Sequence, residues 1–483
     1  MTDILQSSAT ELAGAIRAGA LTSSEIVDFH IQRAEAWNPK LGAIVHERYD
    51  QARTQARAAD AKLAEVGPDE VPPFHGVPCT IKECFAVEGM EQTSGLVRRK
   101  GIVAERDAPT VARIKAAGAI PLGTTNLSEL CMWMESNNKV YGRTNNPYDR
   151  SRIVGGSSGG EGATVGAGIS PFGLGSDIGG SIRMPAFFCG VFGHKGSPGL
   201  IPNTGQHPIA QGEAMRFLST GPLCRRAQDL MPLLRILAGP DGEDPVAEDL
   251  PLGDPSTVDL SALRVLDIAE NGALLHGVSK EMHAARRAVV DHLASLGARV
   301  ERPKLKALAK SFDIWGSMMH LAAETPFTVH MGDGAPVRPL AELFKSLVGA
   351  SDHTLPAIFL ALFEHTSDFP AGRAEKWRQA GLELRATMQD LLGDDGVLIY
   401  PSYPVTAPRH RQPLRRPARF VYTGILNVLH LAVTQVPLGL DTGGLPLGTQ
   451  VAANPGLDHL TIGVALELER AFGGWVPPPA LPG

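Results

Sequence analysis

Several common signatures are missing from this 483-residue chain, and each absence removes a class of function. There is no basic surplus. Forty-five Lys and Arg against 51 Asp and Glu leave a formal charge of −6, with no run of one sign, so no charge-built nucleic-acid surface is expected. No window reaches 18 apolar residues, so no integral membrane segment is expected. The opening MTDILQSSATELAGAIRAGA carries an acid at position 3 and no apolar stretch, which does not fit a secretory signal. The five cysteines, Cys79, Cys84, Cys131, Cys189 and Cys224, form no Cys-x-x-Cys pair and no zinc spacing with histidine. An odd, unpaired set reads as free thiols in a reducing cytoplasm. The phosphate-loop pattern G-x-x-x-x-G-K-[ST] does not occur either.

What is present is an ordinary globular composition, 43% apolar and 20% charged, in a chain long enough to bury a large core. Helical spacing of apolar residues runs through an N-terminal segment, residues 1–66. Strand and helix patterns then alternate over 67–240 and again over 263–483, separated by a surface connection rich in Pro, Asp and Gly at 240–262. This alternation predicts one α/β domain over 1–483, with a mixed twisted sheet covered by helices on both faces. Residues 312–369 are the least regular. They concentrate Met, Phe, Leu and Trp, which suits the wall of an apolar acyl pocket or, more plainly, helical core.

The most unusual stretch is IVGGSSGGEGATVGAGISPFGLGSDIGGSIRMPAF, residues 153–187, with 11 glycines and 5 serines in 35 residues. Interleaved Ile, Val, Leu and Phe argue against a flexible linker. GSSGG matches the nucleophile-elbow pattern G-x-S-x-G centred on Ser158, but no strand rich in β-branched residues precedes it. A second arrangement uses Ser157 and Ser181, each preceded by paired glycines. Without Cβ atoms in the way, the N–H groups of Ile178, Gly179, Gly180 and Ser181 can converge on a developing oxyanion. A serine needs a base, and the run holds no histidine. His194 and His207 follow it without an obvious orienting acid. Lys82, at the end of the apolar segment GVPCTIKECF, is the alternative base, or else a lysine reaching from a strand end to water.

Together these segments resemble the amidase signature family of serine hydrolases. The resemblance rests on residues 155–197, on FHGVPCTIKECFAVEGMEQTSG upstream, on IPLGTTNLSELCMWMESNNKVYGRTNNPY, and on the C-terminal GLPLGTQVAANPGLDHLTIGVALELERAF. It spans nearly the whole chain and is strongest toward the second type of fatty acid amide hydrolase and its bacterial relatives. One departure is Gly196, where the family often has proline. The resemblance implies the amidase signature fold, Ser181 as nucleophile, Ser157 as a bridging serine after a cis peptide bond, and an uncharged Lys82 as base. It implies that Cys131 and Met132 line the substrate and that no metal or cofactor takes part. Asp177 and Arg183 read as structural partners. Loops near Cys131, Tyr403 and Tyr422 are expected to set specificity. The implied reaction is hydrolysis of small to medium apolar amides, including aryl or fatty acid amides, with carbamates and esters presenting the same carbonyl. The A component of a glutamine-using amidotransferase, working in a complex, and a catalytically silent binding module remain open. So does the oligomeric state, a homodimer included.

Overall fold

Eleven strands pair into one mixed sheet in the computed structural model, which describes residues 3–272, 277–366 and 371–479. In spatial order they are Ile44–Glu47, Ile120–Thr125, Pro78–Lys82, Phe172–Asp177, Ser219–Cys224, Phe192–Lys195, Ala432–Leu440, Pro446–Ala453, Gly396–Tyr400, Arg264–Asp267 and Arg299–Glu301. Pro78–Lys82 runs parallel to both its neighbours, with Ile81 opposite Leu174. The strands Pro78–Lys82 and Phe172–Asp177 therefore end on the same side of the sheet.

Period-two alternation explains how helices come to cover both faces. Cys79, Ile81, Val265, Val397 and Ile399 join one core with Leu12, Val111, Leu234, Val289 and Leu468, contributed by helices Ala9–Arg17, Pro109–Ala116, Leu230–Leu237, Lys280–Ser295 and Asp458–Phe472. Leu266, Leu398 and Tyr400 point the other way, into a core with Ile314, Leu384, Met388 and Ile425 from helices Ser311–Ala322, Ala371–Leu392 and Val421–Val428. This is the α/β architecture expected from the sequence, one mixed sheet with helices on both faces. Among the described residues no helix is long and apolar enough to cross a membrane.

Three expectations need correction. Residues 1–66 are not purely helical. Ile44–Glu47 forms an edge strand antiparallel to Ile120–Thr125, held by long-range pairing that helical periodicity does not reveal. Residues 312–369 are not irregular, because within the described residues they form helices Ser311–Ala322, Phe327–Met331, Pro339–Leu347 and Leu355–Thr366, while 367–369 lie outside the described residues. Tyr403 and Tyr422 are core residues, fully buried against Phe188 and Tyr400 respectively.

Candidate active site

Alternation along Pro78–Lys82 turns Thr80 and Lys82 away from the core that takes Cys79 and Ile81, toward the helix Gly159–Gly166. Lys82 is fully buried. Its Nζ lies in hydrogen-bond contact with Ser157 Oγ at 2.7 Å and Ser176 Oγ at 2.9 Å. Ser157 follows a cis Gly156–Ser157 bond, as the family resemblance implied. Its carbonyl is held by Ser128 N–H and the Ser136 hydroxyl. A Cβ on Gly156 would run into the Trp133 carbonyl oxygen, so only glycine fits here. Ser158 N–H donates to the Ser181 carbonyl at 3.1 Å, which ties the two serine segments directly together. Ser181 keeps 7% of its surface open while Ser157 keeps none, so Ser181 is the more accessible of the two.

The Asp177–Arg183 loop that carries Ser181 is organised by one buried ion pair. Arg183 Nε and one terminal nitrogen clasp both Asp177 oxygens, each at 2.9 Å, with both side chains fully buried. The other guanidinium contacts go to Thr423 O, Gln450 Oε1 and Asn427 Oδ1. Burial alone would raise the Asp177 pKa, but the Arg183 charge and hydrogen bonds hold it well below the usual carboxylate range. The pair therefore serves the loop's structure. It also corrects the oxyanion set. Gly180 N–H donates to Asp177 Oδ1 at 2.7 Å and Ile182 N–H to Oδ2 at 3.1 Å, because the carboxylate caps the turn from within. The amides of Ile178, Gly179 and Ser181 donate to no protein acceptor among the described residues. Gly180 adopts φ +116°, and a Cβ there would collide with Thr423. Trp315 lies over this loop, its Nε1 donating to the Ile178 carbonyl at 3.4 Å.

The alternative built on Ser158 fails on geometry. Ser158 is fully buried, and its Oγ is engaged with the backbone of Ser176, so no substrate reaches it. His194 does have an acid, contrary to the expectation from the sequence. Asp458 Oδ1 lies 3.0 Å from its Nε2, supplied by a helix 264 residues away. That carboxylate also binds Ser197, and Thr434 holds the other ring nitrogen, so the group is a closed buried network. His207 lies on a cavity wall, where burial and then the Arg99 charge push it down to about 4 and keep it neutral.

An apolar cavity of about 240 Å³ adjoins the site. Cys131 and Met132 line it, with Ser176, Ile178, Trp315 and Phe363. Ser176 was not anticipated. Its contact with Lys82 depends on two parallel strands ending together, which nothing in the local sequence announces. The neighbouring Cys84 thiol, then the Lys82 amine, pull the Cys131 thiol below its usual range against burial. Burial, and after it the Cys131 thiol, push Cys84 up.

Under the site, Glu161 accepts hydrogen bonds from Thr80 at 2.7 Å and Thr125 at 2.6 Å. Burial pushes its carboxyl up to about 7, against those bonds and the Lys82 charge. Between the ordinary value of 4.5 and about 7 the folded chain holds a proton that the unfolded chain has released. Stability therefore falls as pH rises through that window. Glu161→Gln keeps the shape and removes the titration, so it is expected to flatten this part of the profile, measured as the urea midpoint across the window. A remaining slope comes from Glu83, likewise pushed up to about 7 by burial.

Comparison with known proteins places the chain in a family. The amidase family model matches residues 25–462. The chain belongs to the amidase signature family. Human fatty-acid amide hydrolase 2 is 47% identical over 489 residues, covering 98% of this chain and 91% of that protein. The A component of the glutamyl-tRNA(Gln) amidotransferase of Oleidesulfovibrio alaskensis is 30% identical, covering 98% of this chain and 99% of that protein. A solved structure of 6-aminohexanoate cyclic dimer hydrolase superposes with a TM-score of 0.82 at 24% identity, covering 99% of each chain, which speaks for the fold. As a member of this family, the chain is an amide hydrolase.

Proposed function

We propose that this amidase cleaves amides of apolar acyl groups through an acyl-enzyme on Ser181, with Ser157 and Lys82 moving the proton. The observation that carries the reading is the 2.7 Å contact between Lys82 Nζ and Ser157 Oγ, fully buried and beside an apolar cavity. In this reading the Ser157 hydroxyl relays a proton in either direction between the Lys82 amine and Ser181, whose segment is tied to that of Ser157 by the Ser158 N–H bond to the Ser181 carbonyl. In acylation, Ser181 Oγ attacks the carbonyl and its proton passes to Ser157 as the Ser157 proton passes to Lys82. The oxyanion faces the unengaged amides of Ile178, Gly179 and Ser181, preorganised donors that need no rearrangement. Collapse returns the proton through Ser157 to the amine. That step matters because an unprotonated amine leaves poorly, and general-acid help is worth about 10²–10⁴-fold. Water then releases the acid by the same route. Esters and carbamates present the same carbonyl and enter the same scheme.

The mainly apolar cavity wall and the 47% likeness to a fatty-acid amide hydrolase favour an apolar acyl group over glutamine, whose charged end would be desolvated there. The test is hydrolysis by the purified chain alone of acyl amides with a common amine, from acetyl to long alkyl and aryl. kcat/KM is expected to rise as the acyl group becomes more apolar, with matched esters and carbamates also turned over. Turnover of glutamine with none of the apolar amides would reverse the assignment to an amidotransferase component. No turnover and no labelling by a fluorophosphonate would reduce the chain to a binding module.

A further inference from the structure

The turn that carries Ser181 is held by its carbonyls. Asn427 Nδ2 donates to the Asp177 carbonyl at 3.1 Å, Trp315 Nε1 to the Ile178 carbonyl at 3.4 Å, and Met184 N–H to the Gly180 carbonyl at 2.7 Å. A peptide unit is planar, and in its trans form the C=O and the next residue's N–H point in opposite directions. A bond on one carbonyl therefore fixes where the following amide points. The amides that follow these three carbonyls are those of Ile178, Gly179 and Ser181. They are the same three that donate to no protein acceptor among the described residues. Asn427, Trp315 and Met184 thus aim the three donors left for an oxyanion. Of these holders Trp315 alone lines the cavity.

The indole is fitted closely to this place. A Cβ on Gly179 would lie 3.3 Å from Trp315 Cζ2, so the ring packs directly over that glycine. Phe420 meets the indole edge-on, with ring centres 4.7 Å apart at 81°. Trp315 comes from the helix Ser311–Ala322, which packs on Val421–Val428, the helix that supplies Asn427. We propose that Trp315 is a positioning residue for the oxyanion site. Its N–H holds the Ile178 carbonyl and so keeps the Gly179 N–H aimed at the charge that forms when Ser181 attacks. This rests on the acyl-enzyme proposed at Ser181. Full charge develops on the substrate oxygen only in the tetrahedral state, so an aimed donor lowers the barrier more than it tightens substrate binding. A role as cavity wall alone would act on ground state and transition state alike, and would show in KM.

The experiment separates these roles by exchanging Trp315 for β-(3-benzothienyl)alanine, which keeps the fused ring and carries sulfur in place of the N–H. The variant and the parent chain are compared in kcat and KM on one long-alkyl amide. They are also compared in inhibition by a trifluoromethyl ketone of the same alkyl chain, whose adduct on Ser181 places an oxyanion in the site. kcat is expected to fall about tenfold with KM within about twofold, and ketone affinity to weaken by the same factor as kcat. Trp315→Phe, an aromatic wall without the N–H, is expected to show the same fall in kcat. Parent values of kcat and ketone affinity in the benzothienyl variant, or a loss confined to KM, would overturn the inference. No turnover by the parent chain would remove the proposed function and this inference together, whereas an active parent with an unaffected variant removes the inference alone.

Discussion

Replacing Ser181 with alanine is expected to lower amide turnover by about 10⁴-fold or more and to abolish labelling by a fluorophosphonate. The fold should be unchanged, since the Ser181 hydroxyl is not part of the hydrogen bonding that holds its loop. That work is done by Asp177, which binds Gly180 N–H, Ile182 N–H and Arg183. The large factor follows from the proposed chemistry. Removing the atom that forms the acyl bond leaves only whatever the oxyanion donors and substrate positioning provide. Ser158→Ala is the matched control. Its hydroxyl is buried against the Ser176 backbone, so labelling should persist at Ser181. Loss of label in Ser158→Ala with retention in Ser181→Ala would exchange the two assignments.

The second large effect falls on stability. Arg183→Met removes a fully buried guanidinium and leaves the Asp177 carboxylate without its cation. Breaking one side of such a pair costs about 3–5 kcal/mol, because the remaining charge is stranded away from water. Thr423 O, Gln450 Oε1 and Asn427 Oδ1 lose a donor in the same step. A reduced denaturant midpoint is expected, together with weaker fluorophosphonate labelling, because the loop bearing Ser181 is shaped by this pair. A midpoint equal to that of the parent chain would show that the pair is not what holds the loop.

How much of this could be read from the sequence depended on whether the determining contacts were local. The glycines before Ser157 and Ser181 mark backbone that must pack without a Cβ, and the structure supplies the reason at Gly156 against Trp133 and at Gly180 against Thr423. Lys82 ended an apolar run, and the sheet does bury it. The resemblance tied these scattered residues together, since no spacing links position 82 to position 157. What escaped was set by distant chain. Asp458 reaches His194 across 264 residues, Ser176 reaches Lys82 only through strand pairing, and Gly180 loses its N–H to a carboxylate three residues back once the turn closes. Helices in the 312–369 stretch were hidden by its apolar composition, because exposed apolar residues such as Phe344 and Leu347 blur the contrast between faces that reveals a helix.

The most direct test of the proton relay is the rate at which a fluorophosphonate acylates Lys82→Met, measured beside the parent chain. Methionine fills the same buried space but accepts no proton from Ser157. The relay predicts a fall of about 10²-fold or more, the scale of general-base assistance to a serine. Labelling as fast as the parent would mean that Ser181 reacts without Lys82, and the proposed proton path would be wrong.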